Sequence, residues 1–99
     1  MSKFLTDIKK EDLELITELA KVFFTEEEVC TFLKLPWQQF KIAVSDKTHK
    51  INEAYYSGWY QAEFEMRKII MRSAIAGSTP AQNTILDIHK KSFSNRLRP

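Results

Sequence analysis

The stretch at residues 25–44, TEEEVCTFLKLPWQQFKIAV, constrains the fold of this chain more than any other. It carries the signals of two short helices joined by a tight turn. Thr25 can cap the first helix, and Glu28, three residues later, can complete a capping box. Pro36 cannot continue that helix, but it fits the first turn of a new one. The pattern therefore predicts helices at 25–33 and 37–45.

The apolar spacing of the second helix predicts which of its faces is buried. Phe40, Ala43 and Val44 fall on one side, so the polar residues Gln38, Gln39 and Lys41 should face outward. A helix, a short turn and a second helix form the DNA-binding helix-turn-helix, whose second helix enters the major groove. Glutamine and lysine can contact base edges or phosphates. Lys34 occupies the turn position where glycine is common.

The composition limits the fold class. Ninety-nine residues are enough for one domain with a core of its own, and 43% hydrophobic with 28% charged residues is typical of a globular chain. Two glycines and three prolines argue against an all-β fold, which needs many turns. No apolar run approaches the roughly 20 residues that span a bilayer, and we see no signal peptide. The single cysteine excludes an internal disulfide and fits a reducing compartment.

Charge is distributed unevenly along the chain. The formal net charge is +2, but residues 1–50 carry eight basic and nine acidic side chains, and residues 51–99 carry seven and four. Basic residues follow the turn at Lys41, Lys47 and Lys50, and others gather near the end of the chain. Phosphate contacts by lysines add up, so we expect Lys47 and Lys50 to hold a DNA backbone and several copies to act together.

The remaining segments predict an all-α fold with a second helical region. Residues 1–9 are expected to form a flexible arm and residues 10–50 the helix-turn-helix region, which begins with a helix at 10–22. Residues 51–92 should form an antiparallel hairpin of a long helix, ending before Gly77, and a short one capped by Thr79. The basic tail at 93–99 is expected to be irregular.

The long helix of that hairpin has two apolar faces. One contains Ile51, Tyr55 and Trp59, and the other contains an aromatic and aliphatic stripe of Tyr56, Tyr60, Phe64, Met71 and Ile75. A small domain can cover one face with its own helices. Either the terminal helix covers the stripe, or a second copy of the protein does. We expect self-association through the stripe, because its aromatic area is large.

No residue pattern predicts catalysis or a cofactor. His49 and His89 are far apart in the sequence, and neither lies at metal-ligand spacing from Cys30. The chain has no nucleophile-elbow motif and no glycine-rich phosphate loop. We therefore expect a non-enzymatic protein without a metal or a cofactor.

Residues 25–92 resemble the small terminase subunits and related DNA-packaging proteins of tailed bacteriophages. Three segments carry the likeness: TEEEVCTFLKLPWQQFKIAV, INEAYYSGWYQAEFEMRKIIMRSAIAGSTPAQ and NTILDIHKKS. The family has a "YxxG…E…R…A…G…PA" run after its helix-turn-helix. The matching positions here are Tyr55 or Tyr56, Gly58, Glu63 or Glu65, Arg67, Ala74, Gly77, Pro80 and Ala81.

This resemblance implies a ring-forming protein of a phage or prophage, acting in the cytoplasm of a bacterial host. It would bind double-stranded viral DNA and deliver it to a large subunit that carries the ATPase and nuclease. Trp37, Gln38, Gln39 and Lys41 would then face the groove, although Trp37 fits a packing role equally well. Two other functions remain open: a dimeric helix-turn-helix transcriptional regulator, and a helical adaptor that binds proteins but not DNA.

Overall fold

The computed structural model describes the backbone of residues 8–97 and the side chains of residues 8–92, and all regular structure in that part of the chain is helical. The helices are α1 (Lys10–Lys21), α2 (Glu26–Leu33), α3 (Trp37–Ser45), α4 (Lys50–Ile75) and α5 (Thr79–Leu97). The predicted all-α class is confirmed, and each predicted helix is present. Among these helices, none is both long and apolar enough to cross a membrane.

The chain divides into two compact units, one through Glu63 and one from Phe64 onward, and the division falls inside α4. The sequence placed a boundary between residues 50 and 51 instead. The structure differs because the first turns of α4 complete the core of the first unit, where Ile51 and Tyr55 are both buried. The hydrophobic side chains of that core thus come from both sides of the expected boundary.

The first unit contains α1, α2, α3 and the first part of α4. In it α1 packs against α2, and α2 packs against α3. The buried core residues are Ile16, Leu19, Ala20, Val29, Cys30, Leu35, Phe40, Ala43, Val44, Ile51 and Tyr55. Ile8, which lies in the predicted flexible arm, also packs against this core. The rest of that arm, residues 1–7, lies outside the described residues.

Close contact between α1 and α4 depends on Gly58. A β-carbon at this position would overlap the backbone carbonyl of Thr17 and would lie 3.0 Å from the Ala20 β-carbon. The Thr17 hydroxyl also donates a hydrogen bond to the Ala54 carbonyl oxygen, 3.0 Å away. The Tyr55 hydroxyl donates to the Phe24 carbonyl oxygen at 2.7 Å, and burial raises the pKa of Tyr55. These contacts fix α4 against α1 and the loop that follows it.

The capping box at the start of α2 is present as predicted. The Thr25 hydroxyl accepts a hydrogen bond from the Glu28 amide at 3.1 Å, and the Glu28 carboxylate accepts one from the Thr25 amide at 2.9 Å. Two amides that have no partner within the helix are therefore satisfied by local side chains.

Three helices end in the Schellman pattern, in which a left-handed residue follows the helix. After α2 this residue is Lys34, with φ 56°, and the amides of Lys34 and Leu35 bond back to carbonyls of α2. Phe23, with φ 62°, has the same role after α1, and Gly77, with φ 102°, after α4. The ring of Phe23 makes an edge contact with Trp59, at 5.7 Å between centroids, and this packing offsets the backbone cost.

Replacing Lys34 with glycine is expected to raise the free energy of unfolding by up to about 1 kcal/mol. Glycine removes the clash that a β-carbon makes in this conformation, and its greater entropy in the unfolded chain offsets part of the gain. Urea denaturation monitored by circular dichroism measures the change. Lys34→Ala is the control, because it removes the same side chain and keeps the β-carbon. An equal gain in the alanine variant would show that backbone strain is not the cause.

The second unit contains the end of α4 and α5. The capping residue of α5 differs by one position from the prediction. The hydroxyl of Ser78, and not that of Thr79, accepts a hydrogen bond from the Ala81 amide at 3.4 Å. The Gln82 side chain donates to the Ala74 carbonyl oxygen at 3.0 Å. Helix α5 continues through Leu97, so residues 93–97 are helical and not irregular as expected. Residues 98 and 99 of the predicted basic tail lie outside the described part.

Candidate nucleic-acid interface

The orientation of α3 follows from its three buried residues, Phe40, Ala43 and Val44. With about 100° between successive residues, they place the opposite side of the helix in solvent. The side chains on that opposite side, together with the first residue after the helix, line one shallow, open depression: Gln38, Lys41, Ile42, Ser45 and Asp46. We call Gln38, Lys41, Ile42 and Ser45 the α3 stripe.

Two of the four predicted groove-facing residues lie on this stripe, and two lie beside it. Gln38 and Lys41 line the depression. Gln39 is exposed, but it does not line the depression, because it is rotated about 100° from Gln38. Trp37 stacks at a tilt on Phe40, at 6.4 Å between ring centroids, and it is 36% exposed.

The surroundings of Trp37 favour a packing role. Trp37 lines a small recess whose other residues, Glu27, Cys30 and Thr31, all belong to α2. The indole therefore lies where α2 meets α3 and not at the centre of the exposed side of α3. Of the two interpretations that the sequence left open for Trp37, the structure supports packing between helices.

Ile42 and Ser45 were not predicted to belong to this surface. Ile42 is 73% exposed, although it is a large aliphatic residue in the middle of a helix. Both follow Gln38, at i+4 and i+7, so the helical period alone could have placed them on the stripe. The Ser45 hydroxyl donates to the Lys41 carbonyl oxygen at 2.8 Å, so its proton is already used within the helix. Among the described residues, the Gln38 amide has no hydrogen-bond partner.

The loop between α3 and α4 is fixed by local hydrogen bonds. The Asp46 carboxylate accepts bonds from both the hydroxyl and the amide of Thr48, and the hydroxyl bond is the main reason that the pKa of Asp46 lies below its usual value. His49 caps α4, because its Nδ1 accepts a hydrogen bond from the Ile51 amide at 3.1 Å. The Asn52 side chain donates to the Val44 carbonyl oxygen.

This loop sets the positions of the two predicted clamp residues. Lys47 lines a second depression that shares Ser45 with the first and also contains Tyr56 and Tyr60. Lys50 is exposed as the first residue of α4, and no contact places it beside the α3 stripe. The end of α3 and the loop after it therefore carry three exposed lysines, Lys41, Lys47 and Lys50, and one carboxylate, Asp46.

The residues predicted for self-association are exposed in both units. In the first unit Tyr60 is 64% exposed, and Tyr56 donates a hydrogen bond to Glu26 at 3.1 Å. Burial, followed by this bond, raises the pKa of Tyr56. In the second unit Phe64, Met71 and Ile75 are exposed, and the Lys68 ammonium lies 4.8 Å from the centre of the Phe64 ring. Met66 and Ile69, on the opposite side of α4, are also exposed there.

The described residues contain no cluster of three or more His, Cys, Asp or Glu side chains that could hold a metal ion. Cys30 is buried, its Sγ contacts the Leu35 carbonyl oxygen at 3.0 Å, and burial raises its pKa. A buried thiol with a raised pKa is a weak nucleophile at neutral pH, so Cys30 acts in packing.

Comparison with known proteins identifies no relative of the chain. No protein-family model matches it, and neither the curated proteins nor the solved structures give a significant match.

Proposed function

We propose that this protein is a non-catalytic DNA-binding component of phage DNA packaging, similar to a small terminase subunit. The observation that carries the proposal is the α3 stripe, because it places an unpartnered amide, an ammonium group and an exposed isoleucine together on one solvent-facing side of a short helix. In this interpretation α2 and α3 form a helix-turn-helix, and α3 enters the major groove.

The rest of the proposed interface surrounds the α3 stripe. Lys47 and Lys50 contact the phosphate backbone, and Gln39 reaches the backbone from the flank of α3. The depression that Lys47 lines together with Ser45 supports this role for Lys47, because Ser45 belongs to the stripe. Phosphate contacts of this kind position a protein on DNA, whereas contacts to base edges determine the sequence that it prefers.

The second proposed element is an antiparallel hairpin of α4 and α5 through which copies of the protein assemble. The large apolar side chains that α4 exposes in both units support this arrangement, since surfaces of that kind are usually covered by a partner. A closed ring of protomers would multiply the few positive charges of each one and so raise the affinity for DNA. A large terminase subunit would be the next partner.

DNA binding is tested by fluorescence anisotropy on a long mixed-sequence duplex over a series of KCl concentrations. Lys41→Ala is expected to weaken binding and to reduce the slope of log K against log salt by about 0.9 for each phosphate that the lysine neutralises. Gln38→Ala should weaken binding with little change in slope, because glutamine carries no charge. Lys10→Ala, an exposed lysine of α1, is the matched control. If Lys41→Ala and Lys10→Ala behave alike, α3 is not the DNA-binding helix.

Assembly is tested by light scattering on a sizing column, with and without DNA. We expect a species of several chains of 11.6 kDa each. Substituting Tyr60 and Phe64 together with serine should reduce the mass, because both side chains are exposed on α4. Phe32→Ser, which removes an exposed ring of α2, should leave the mass unchanged. A monomer at all concentrations, with or without DNA, would exclude the ring.

The same two measurements separate the alternatives. A dimeric transcriptional regulator would have a mass of two chains and would bind two half-sites about one helical turn apart. A protein-binding adaptor would show no salt-dependent DNA binding, and Gln38→Ala with Lys41→Ala would change nothing.

A further inference from the structure

We infer that Ile42 contacts the 5-methyl group of thymine in the major groove, so that the α3 stripe selects A·T base pairs. This inference rests on the proposed DNA-binding function and names the bases that the same surface reads. Its starting point is the position of Ile42, which lines the depression of the stripe and is 73% exposed.

The chemistry of the stripe narrows the choice of bases. Gln38 and Ile42 are four residues apart, so they lie one above the other on the same side of α3. The Ser45 hydroxyl is bonded to the Lys41 carbonyl oxygen, and the proposed function assigns the Lys41 ammonium to a phosphate. The Gln38 amide and the Ile42 side chain are then the groups left for base edges. An amide matches the paired donor and acceptor of adenine, and an aliphatic side chain matches the methyl group of thymine.

Guanine and cytosine present fewer groups in the major groove that match the side chains of the stripe. Guanine presents two acceptors in the major groove, which suit an arginine or a lysine. Helix α3 contains no arginine, and its lysine, Lys41, is assigned to a phosphate in the proposed function. Cytosine presents an amino donor and no methyl group. An isoleucine placed against cytosine would therefore lose contact with water without gaining contact with an apolar group of the base. The described side chains therefore favour adenine and thymine at neighbouring positions.

The methyl group can be removed or added without changing the base pairing. Four alternating duplexes of equal length are compared: dA·dT, dA·dU, dG·dC, and dG·dC with 5-methylcytosine. When thymine is replaced by uracil, the affinity of the wild-type protein is expected to fall about fourfold for each methyl group that the protein buries. It should gain a similar factor when cytosine is methylated. Ile42→Ala should bind the methylated and unmethylated member of each pair equally.

Gln38→Ala provides the second arm of the experiment. This variant should keep the dependence on the methyl group and lose the preference for dA·dU over dG·dC. Both substituted residues are exposed, so circular dichroism should show the same helix content and thermal midpoint as wild type.

Each outcome has one meaning. A wild-type protein that binds DNA but does not distinguish thymine from uracil would overturn the inference and leave the proposed function standing. The inference is also overturned, and the proposed function kept, if Ile42→Ala stays as sensitive to the methyl group as wild type. Failure to bind any of the four duplexes would overturn the inference and the proposed function together. A methyl dependence that disappears only with Ile42→Ala would establish the contact.

Discussion

Replacing Gly58 with alanine is expected to lower the free energy of unfolding by about 2–3 kcal/mol, a large share of the stability of a small domain. The added β-carbon would overlap the Thr17 carbonyl oxygen and lie 2.9 Å from the carbonyl carbon. Both atoms belong to the backbone of α1, so they cannot rotate away as a side chain could. One helix has to move, and the hydrogen bond from Thr17 to Ala54 is then broken as well.

The expected sign is informative because helix propensity predicts the opposite change. At an exposed helical position, glycine to alanine stabilises by about 1 kcal/mol. The neighbouring substitution Ser57→Ala provides this control, since Ser57 is exposed on the same helix. Thermal unfolding followed by circular dichroism should show a fall of roughly 10–20 °C for Gly58→Ala and almost no change for Ser57→Ala. A higher midpoint for Gly58→Ala would mean that α1 and α4 are not in contact there.

Replacing Phe40 with alanine is expected to cost about 3–5 kcal/mol and to leave little folded protein. Phe40 is the largest fully buried side chain of the core, and its removal leaves a cavity between α3 and the rest of the first unit. Phe40 is also one of the three residues that fix the rotation of α3. The orientation of the α3 stripe should therefore be lost together with the stability.

Two further variants make this second result interpretable. Phe40→Leu keeps an apolar side chain at the site and should retain a folded protein of reduced stability, which allows DNA binding to be measured. Ile42→Ala lies two residues away on the exposed side and should change the free energy of unfolding by less than about 0.5 kcal/mol. Urea denaturation followed by the fluorescence of Trp37 and Trp59 measures all three. Equal losses of stability for Phe40→Ala and Ile42→Ala would contradict this orientation of α3.

The positions of the helices could be predicted because their signals are local. The capping box joins Thr25 to Glu28, three residues away, and the left-handed turns at Lys34 and Gly77 are closed by amides within five residues of their acceptors. Interactions over such short distances depend on few other residues. The left-handed Phe23 was not predicted, because its cost is offset by a ring contact with Trp59 on a distant part of the chain.

The candidate site was predicted in part for the same reason. The helical period assigned Gln38 and Lys41 to the exposed side of α3, and the structure places both of them there. Ile42 was overlooked because an isolated isoleucine is normally assigned to the core. Its exposure follows from Phe40, Ala43 and Val44 being the residues that α3 buries. The apolar spacing predicted those three residues, so the same helical period could also have placed Ile42 on the exposed side.

By itself the sequence determined the all-α class, the termini of α2 and α3 and the period of each apolar face, since these follow from interactions within one or two turns. Only the tertiary structure decided how α4 is shared between two units and which of its residues are covered. The start of α4 is held by hydrogen bonds from Thr17 to Ala54 and from Tyr55 to Phe24, whose partners lie more than thirty residues earlier in the chain. An apolar face on a helix indicates that some other element has to pack against it. Which element supplies that partner is decided by where the rest of the chain can pack.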